Sequence, residues 1–154
     1  MRGRLTATQA ILYGTLVVGT LDALDAIVFF GLRSGAPPLR IFQGIASGLL
    51  GPAARQGGLQ TAAIGVALHF FIAFGIVVTY FLVSRRVAVL TRHPVICGIV
   101  YGLVAYAVMN LVVIPLSKIG GPTMPAAPVL ANGLLIHMFG VGLPAALFAR
   151  AAKR

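Results

Sequence analysis

The sequence predicts an all-α integral membrane protein with four transmembrane helices. Hydrophobic residues make up 59% of the 154 residues, charged residues make up only 9%, and the mean hydropathy is +1.01. Soluble domains carry about 25% charged residues. The apolar residues also form long stretches that are separated by short basic clusters. This composition and pattern indicate that lipid, rather than water, surrounds most of the chain.

Four stretches are long enough to cross a bilayer, which takes about 20 mostly apolar residues. They cover residues 7–30, 60–83, 94–116 and 129–149, so residues 1–154 form a single transmembrane domain. Residues 38–51 are predicted to form a short amphipathic helix between the first and second of these helices, because Pro37 and Pro38 open the segment, it carries an apolar face, and Gly51 and Pro52 close it. This segment is too short to span, so it either lies at the outer interface or re-enters the membrane.

The basic residues predict how the chain is oriented. Eight of the 12 Lys and Arg residues lie at the termini and in the loop between the second and third helices. The other four, Arg33, Arg40, Arg55 and Lys118, lie on the opposite side. Because cytoplasmic loops carry the excess of Lys and Arg, both termini are predicted to be cytoplasmic. Ten arginines against two lysines, with abundant Ala and Gly, favour a GC-rich bacterial genome and hence a bacterial cytoplasmic (inner) membrane.

The distribution of charge argues against nucleic acid as a partner, although the formal net charge is +10. The basic residues form small clusters between apolar runs and build no basic surface with interleaved aromatic residues. They are typical of membrane anchors. The expected partner is the lipid bilayer, and assembly into a homo-oligomer or a larger membrane complex stays open.

Two pairs of helices share residue spacings. Tyr13-Gly14 precedes Asp22 by the same interval as Tyr101-Gly102 precedes Asn110, and "GVALHFF" at 65–71 matches "GLLIHMF" at 133–139. Both copies start on the same side of the membrane. The sequence therefore predicts two parallel-repeat helical hairpins, the first of which carries the amphipathic segment as an insertion.

Five polar residues are expected at similar depths in these helices. With a rise of about 1.5 Å per residue, Asp22, His69 and His137 lie about 12–14 Å from the outer helix ends. Asn110 lies about 9 Å from its outer end, and Asp25 lies one turn closer to the surface than Asp22. The two aspartates are the only acidic residues of the chain. Ionisable groups inside a membrane normally face the bundle interior and pair there, so we expect a buried ionisable site.

Several roles are compatible with this cluster. Asp22, His69 and His137 could ligate zinc or iron(II), and the two histidines could instead hold a haem through axial imidazoles. The cluster could also bind a small polar ligand, bind a cation or relay protons during transport. In the remaining alternative, a non-catalytic packing or assembly subunit, the aspartates only pair with neighbouring side chains and fix helix packing.

Other side chains are expected to assist this site. Arg33 and Arg40 are candidates for pairing or gating, and Tyr106, one turn before Asn110, can reach the polar layer. Gly98 and Gly102 form a GxxxG contact face, which packs either internally or between subunits. No nucleophile, phosphate-binding or zinc-protease motif occurs in the sequence, so an enzyme is not expected.

The order of "LDALDAIVFFGLRSGAPPLRIFQGIASGLLG", "ALHFFIAFG", "MNLVVIPLS" and "NGLLIHMFGVGLP" resembles a class of small four-helix bacterial inner-membrane proteins of unknown function. The resemblance covers most of the chain. It implies the four-helix fold and the inner-membrane location, and it carries no motif with a known activity.

Overall fold

The computed structural model describes residues 4–120 and 125–152. Its main helices are α1 (Ala7–Ser34), α2 (Pro38–Leu50), α3 (Gly58–Arg86), α4 (Pro94–Leu116) and α5 (Ala127–Ala151). A 3-10 helix joins α2 to α3 at Pro52–Gln56, and a short helix at Val89–Arg92 precedes α4. Across the described residues, extended pairing is limited to an isolated bridge between Leu5 and Ala152.

α1, α3, α4 and α5 are each long and apolar enough to cross a membrane, so the expected all-helical chain with four candidate spans is confirmed. Their outer faces carry large apolar side chains, among which Leu32 is 86%, Phe71 72% and Leu116 83% exposed. Such faces suit contact with lipid tails. Arg2, Lys153 and Arg154, which contribute to the charge asymmetry, lie outside the described residues.

The ends of the first helix follow from its sequence. Thr6 and Gln9 form a capping box, in which each side chain accepts a hydrogen bond from the other residue's backbone N–H. At the other end Gly35 adopts a φ of 67° and donates its N–H to the Gly31 carbonyl. That left-handed conformation favours glycine and stops the helix before α2 begins at Pro38.

The core lies where α1, α3 and α5 meet. Val18, Val77 and Val141, one from each helix, are at most 2% exposed, and alanines such as Ala73 and Ala146 surround them. Small side chains let the helix backbones approach closely, which is how membrane helices gain packing energy without a hydrophobic driving force.

Glycines bring α4 against α5. A Cβ atom on Gly102 would overlap the His137 carbonyl, and one on Gly142 would overlap the Gly98 carbonyl. The GxxxG face of α4 therefore packs inside this chain, against the part of α5 that carries His137.

α2 packs closely on α3. A Cβ atom on Gly65 would overlap the Phe42 carbonyl, and the buried Gln43 side chain donates a hydrogen bond from Nε2 to the Gly58 carbonyl at 3.0 Å. The Phe42 ring meets the His69 ring edge-on, with 6.4 Å between ring centroids. α2 is thus held over the part of α3 that carries His69.

Candidate functional site

A cavity of about 220 Å³ lies between the four spanning helices. Its polar lining is Asp22, His69, Asn110 and His137, one residue from each of α1, α3, α4 and α5. Ile45 of α2 lines it as well, and its other walls are apolar. Since about 10–15 Å³ of accessible volume accommodates one water molecule, the cavity has room for several. The structure therefore places four of the five polar residues singled out in the sequence around one space.

His69 and Asp22 face each other in the cavity. The His69 ring is buried, and its Nε2 lies 2.7 Å from the Gly19 carbonyl oxygen of α1. Its Nδ1 lies 3.9 Å from Oδ2 of Asp22, within the range of an ion pair. In the part of the chain that the structure describes, the Asp22 carboxylate accepts no hydrogen bond from another protein group.

The carbonyl contact assigns the tautomer of His69. A carbonyl oxygen only accepts hydrogen bonds, so Nε2 must carry a hydrogen, and in the neutral ring Nδ1 then has a lone pair. A lone pair that faces the ionised carboxylate of Asp22 is repelled by it. The contact becomes attractive when a proton resides on either Nδ1 or Oδ2, so the pair is complementary when it holds one proton.

Asp25 has a different environment from Asp22. It does not line the cavity, and its Oδ2 accepts a hydrogen bond of 2.7 Å from the Asn132 amide of α5. Sequence reasoning missed Asn132, although an amide within an apolar spanning stretch was a signal that could have identified it. A neutral donor satisfies this carboxylate, which makes Asp25 a link between α1 and α5.

Asn110 and His137 both lie in widened turns of their helices. The Ile114 N–H bonds to the Met109 carbonyl, and the Leu143 N–H bonds to the Met138 carbonyl, each five residues earlier as in a π-helix. Pro115 and Pro144 follow directly, and a proline within a helix clashes with the carbonyl four residues before it. Widening the preceding turn relieves that clash, and such π-bulges occur frequently at functional sites.

The two side chains make equivalent hydrogen bonds in these turns. Asn110 donates from Nδ2 to the Tyr106 carbonyl at 2.9 Å, and Nδ1 of His137 lies 2.9 Å from the Gly133 carbonyl. Because the carbonyl must accept, Nδ1 of His137 carries the hydrogen. Its Nε2 is then the atom that remains able to accept a proton. The Tyr106 ring packs edge-on against the His137 ring at 5.2 Å and holds it in place.

Arg33 and Arg40 do not reach the aspartates. Arg33 is exposed in the last turn of α1, and Arg40 donates from Nη1 to the Arg55 carbonyl at 2.9 Å. Among the described residues, the ion-pair contact of an aspartate is the one between Asp22 and His69. The structure thus places both arginines outside the polar cavity, while Tyr106 lies beside it.

A metal or haem at this cavity would rely on the side chains of Asp22, His69 and His137. Within residues 4–120 and 125–152, no three His, Cys, Asp or Glu side chains are grouped so that they could hold a metal ion. Nε2 of His69 and Nδ1 of His137 each contact a backbone carbonyl, which leaves the other nitrogen of each ring without such a partner among the described residues. The described residues therefore form no three-ligand metal site.

No protein-family model, no curated protein and no solved structure matches the chain.

Proposed function

We propose that this protein binds and passes protons through the polar cavity between its spanning helices. The observation that carries the proposal is the contact between His69 and Asp22, in which Nε2 is committed to a backbone carbonyl while Nδ1 faces a carboxylate. Such a pair is suited to hold one exchangeable proton. Intramembrane Asp and His residues characteristically mark proton pathways.

The surroundings of the pair support a relay rather than an isolated buried contact. The cavity has room for water beside Asp22, and Nε2 of His137 supplies a second proton acceptor in its wall. Asn110 can both donate and accept hydrogen bonds. Protons could therefore move between Asp22 and His137 along ordered water without a large movement of the helices. In a related function, a small cation would bind to the Asp22 carboxylate in place of the proton.

A flux measurement tests this function. The purified protein is reconstituted into vesicles that contain a pH-sensitive dye, and a potassium gradient with valinomycin drives proton entry. We expect faster acidification of the lumen than in protein-free vesicles, because the cavity lowers the cost of placing a proton within the bilayer. A rate equal to that of protein-free vesicles, at every pH tested on either side of neutrality, would contradict proton conduction.

We further propose that α2 covers the cavity on the non-cytoplasmic side, with both termini in the cytoplasm. The asymmetry of basic residues supports this orientation. Reporters fused at the C-terminus or within residues 85–92 are expected to be active if they function in the cytoplasm, and inactive if they function only in the periplasm. A periplasmic signal at either position would reverse the orientation and place the cavity in the cytoplasmic half.

The proposed parallel repeat is supported by the placement of equivalent residues. Asp22 and Asn110 face the same cavity, as do His69 and His137. The hydrogen bonds of the two histidines differ, since His69 bonds to a carbonyl of another helix and His137 bonds to a carbonyl of its own helix. In this proposal the two hairpins have diverged, and only the first retains a carboxylate.

A further inference from the structure

A second, larger space lies outside the polar cavity. It is an open groove of about 800 Å³ that runs beside α2 and is bordered by α1, α3 and α4. Its walls are mainly apolar and include Ile41, Phe71 and Val113. The volume falls within the range of about 300–1,000 Å³ that is usual for small-molecule sites. In a membrane, a groove with such apolar walls is suited to bind a lipid acyl chain.

Two arginines line the same groove. Arg40 and Arg55 are held next to each other because Arg40 donates a hydrogen bond from Nη1 to the Arg55 carbonyl at 2.9 Å. The guanidinium of Arg55 has no hydrogen bond or ion pair to any residue that the structure describes. Neither acidic residue of the chain is available to them, since Asp22 faces the polar cavity and Asp25 is bonded to Asn132.

The groove therefore combines an apolar body with positive charge that this chain does not neutralise. We propose that it binds an anionic phospholipid, with an acyl chain along the apolar walls and the phosphate on Arg40 and Arg55. Guanidinium groups bind phosphate through paired N–H donors. A zwitterionic lipid fits the walls equally well but gains less from the arginines.

The bound lipid would also form part of the cavity wall. Ile45, Ile72, Met109 and Ile114 line both the groove and the polar cavity, so the two spaces adjoin. An acyl chain in the groove would separate the polar residues from the rest of the bilayer. The lipid site does not depend on proton transfer, and the two proposals can fail separately.

The test compares lipid binding by native mass spectrometry of the purified protein in detergent. Phosphatidylglycerol and phosphatidylcholine with identical acyl chains are titrated against wild type, R55Q and R33Q. R55Q removes a guanidinium that has no protein partner among the described residues, so the fold is expected to persist. R33Q is the matched control. Arg33 is exposed, as Arg55 is, and lies in the last turn of α1, but it does not line the groove.

We expect wild type to prefer phosphatidylglycerol and R55Q to lose up to about fivefold of that preference, since an exposed ion pair contributes up to about 1 kcal/mol and each 1.4 kcal/mol is tenfold. R33Q is expected to behave as wild type. An equal loss in both variants would show attraction to general surface charge and would overturn the site. No preference for phosphatidylglycerol in wild type would overturn it as well.

A second variant tests the apolar part of the site. A Cβ atom on Gly44, which lines the groove, meets nothing within 4 Å, so Gly44→Leu extends a side chain into open space. We expect this variant to bind both lipids more weakly than wild type while it keeps the same thermal stability in detergent. Unchanged phosphatidylglycerol binding in Gly44→Leu would place the lipid elsewhere and contradict the proposal.

Discussion

Asp22→Asn is expected to reduce proton flux to the level of protein-free vesicles, whereas Asp25→Asn is expected to retain most of it. Asp22 is the carboxylate that faces the cavity and His69, and it accepts no hydrogen bond from the described protein groups. An amide keeps the shape of the side chain but cannot take up the proton that the pair shares. Flux is measured with the vesicle assay at equal protein content.

Asp25→Asn is the matched control for this experiment. It makes the same chemical change one turn away on α1, at a residue that does not line the cavity. The introduced amide can still accept the hydrogen bond from Asn132 through its own carbonyl oxygen, so the contact between α1 and α5 is expected to persist. Equal flux in wild type and both variants would remove the special role of Asp22 and favour a packing or assembly subunit.

Gly102→Ala is expected to destabilise the protein by about 1–3 kcal/mol or more, because overpacking a close contact forces the surrounding structure to move. The added methyl group would meet the His137 carbonyl, which belongs to the backbone and cannot rotate away. Thermal or denaturant unfolding in mild detergent measures the change. Since the contact positions His137, we also expect lower proton flux in any protein that remains folded.

Gly75→Ala is the control for that substitution. Gly75 lies within α3, and a Cβ atom there meets nothing within 4 Å. Alanine is the better helix former by about 1 kcal/mol, so stability is expected to stay the same or to rise slightly. Similar losses of stability in Gly102→Ala and Gly75→Ala would mean that the close packing of α4 on α5 contributes little.

The helices of this protein are largely determined by its sequence. Apolar runs of about 20 residues can satisfy their backbone hydrogen bonds in lipid only as helices, so composition and length were enough to predict four spans. The amphipathic pattern after Pro37 and Pro38 likewise predicted a helix, which the structure places at Pro38–Leu50. α1 continues a few residues beyond its predicted end to the left-handed cap at Gly35, and α3 extends a few residues beyond both predicted bounds, from Gly58 to Arg86.

The candidate site was only partly predictable. Residues at similar depth could be picked out because the helical rise is constant, and Asp22, His69, Asn110 and His137 do line one cavity. The different surroundings of the two aspartates were not predictable. Asp25 binds an amide that lies 107 residues later in the chain, and no local pattern contains that pairing.

The sequence alone thus determined a helical protein with four helices that are long and apolar enough to cross a membrane, and with both acidic residues in one helix. Only the tertiary structure decided which carboxylate faces a cavity, which histidine nitrogen is free, and which glycines set the distance between helices. The physical reason is that hydropathy and periodicity act within a helix, where each residue's neighbours are given by the chain. Rotation of one helix against another depends on contacts such as those of Gly65 with Phe42 and of Gly102 with His137, which exist only after packing.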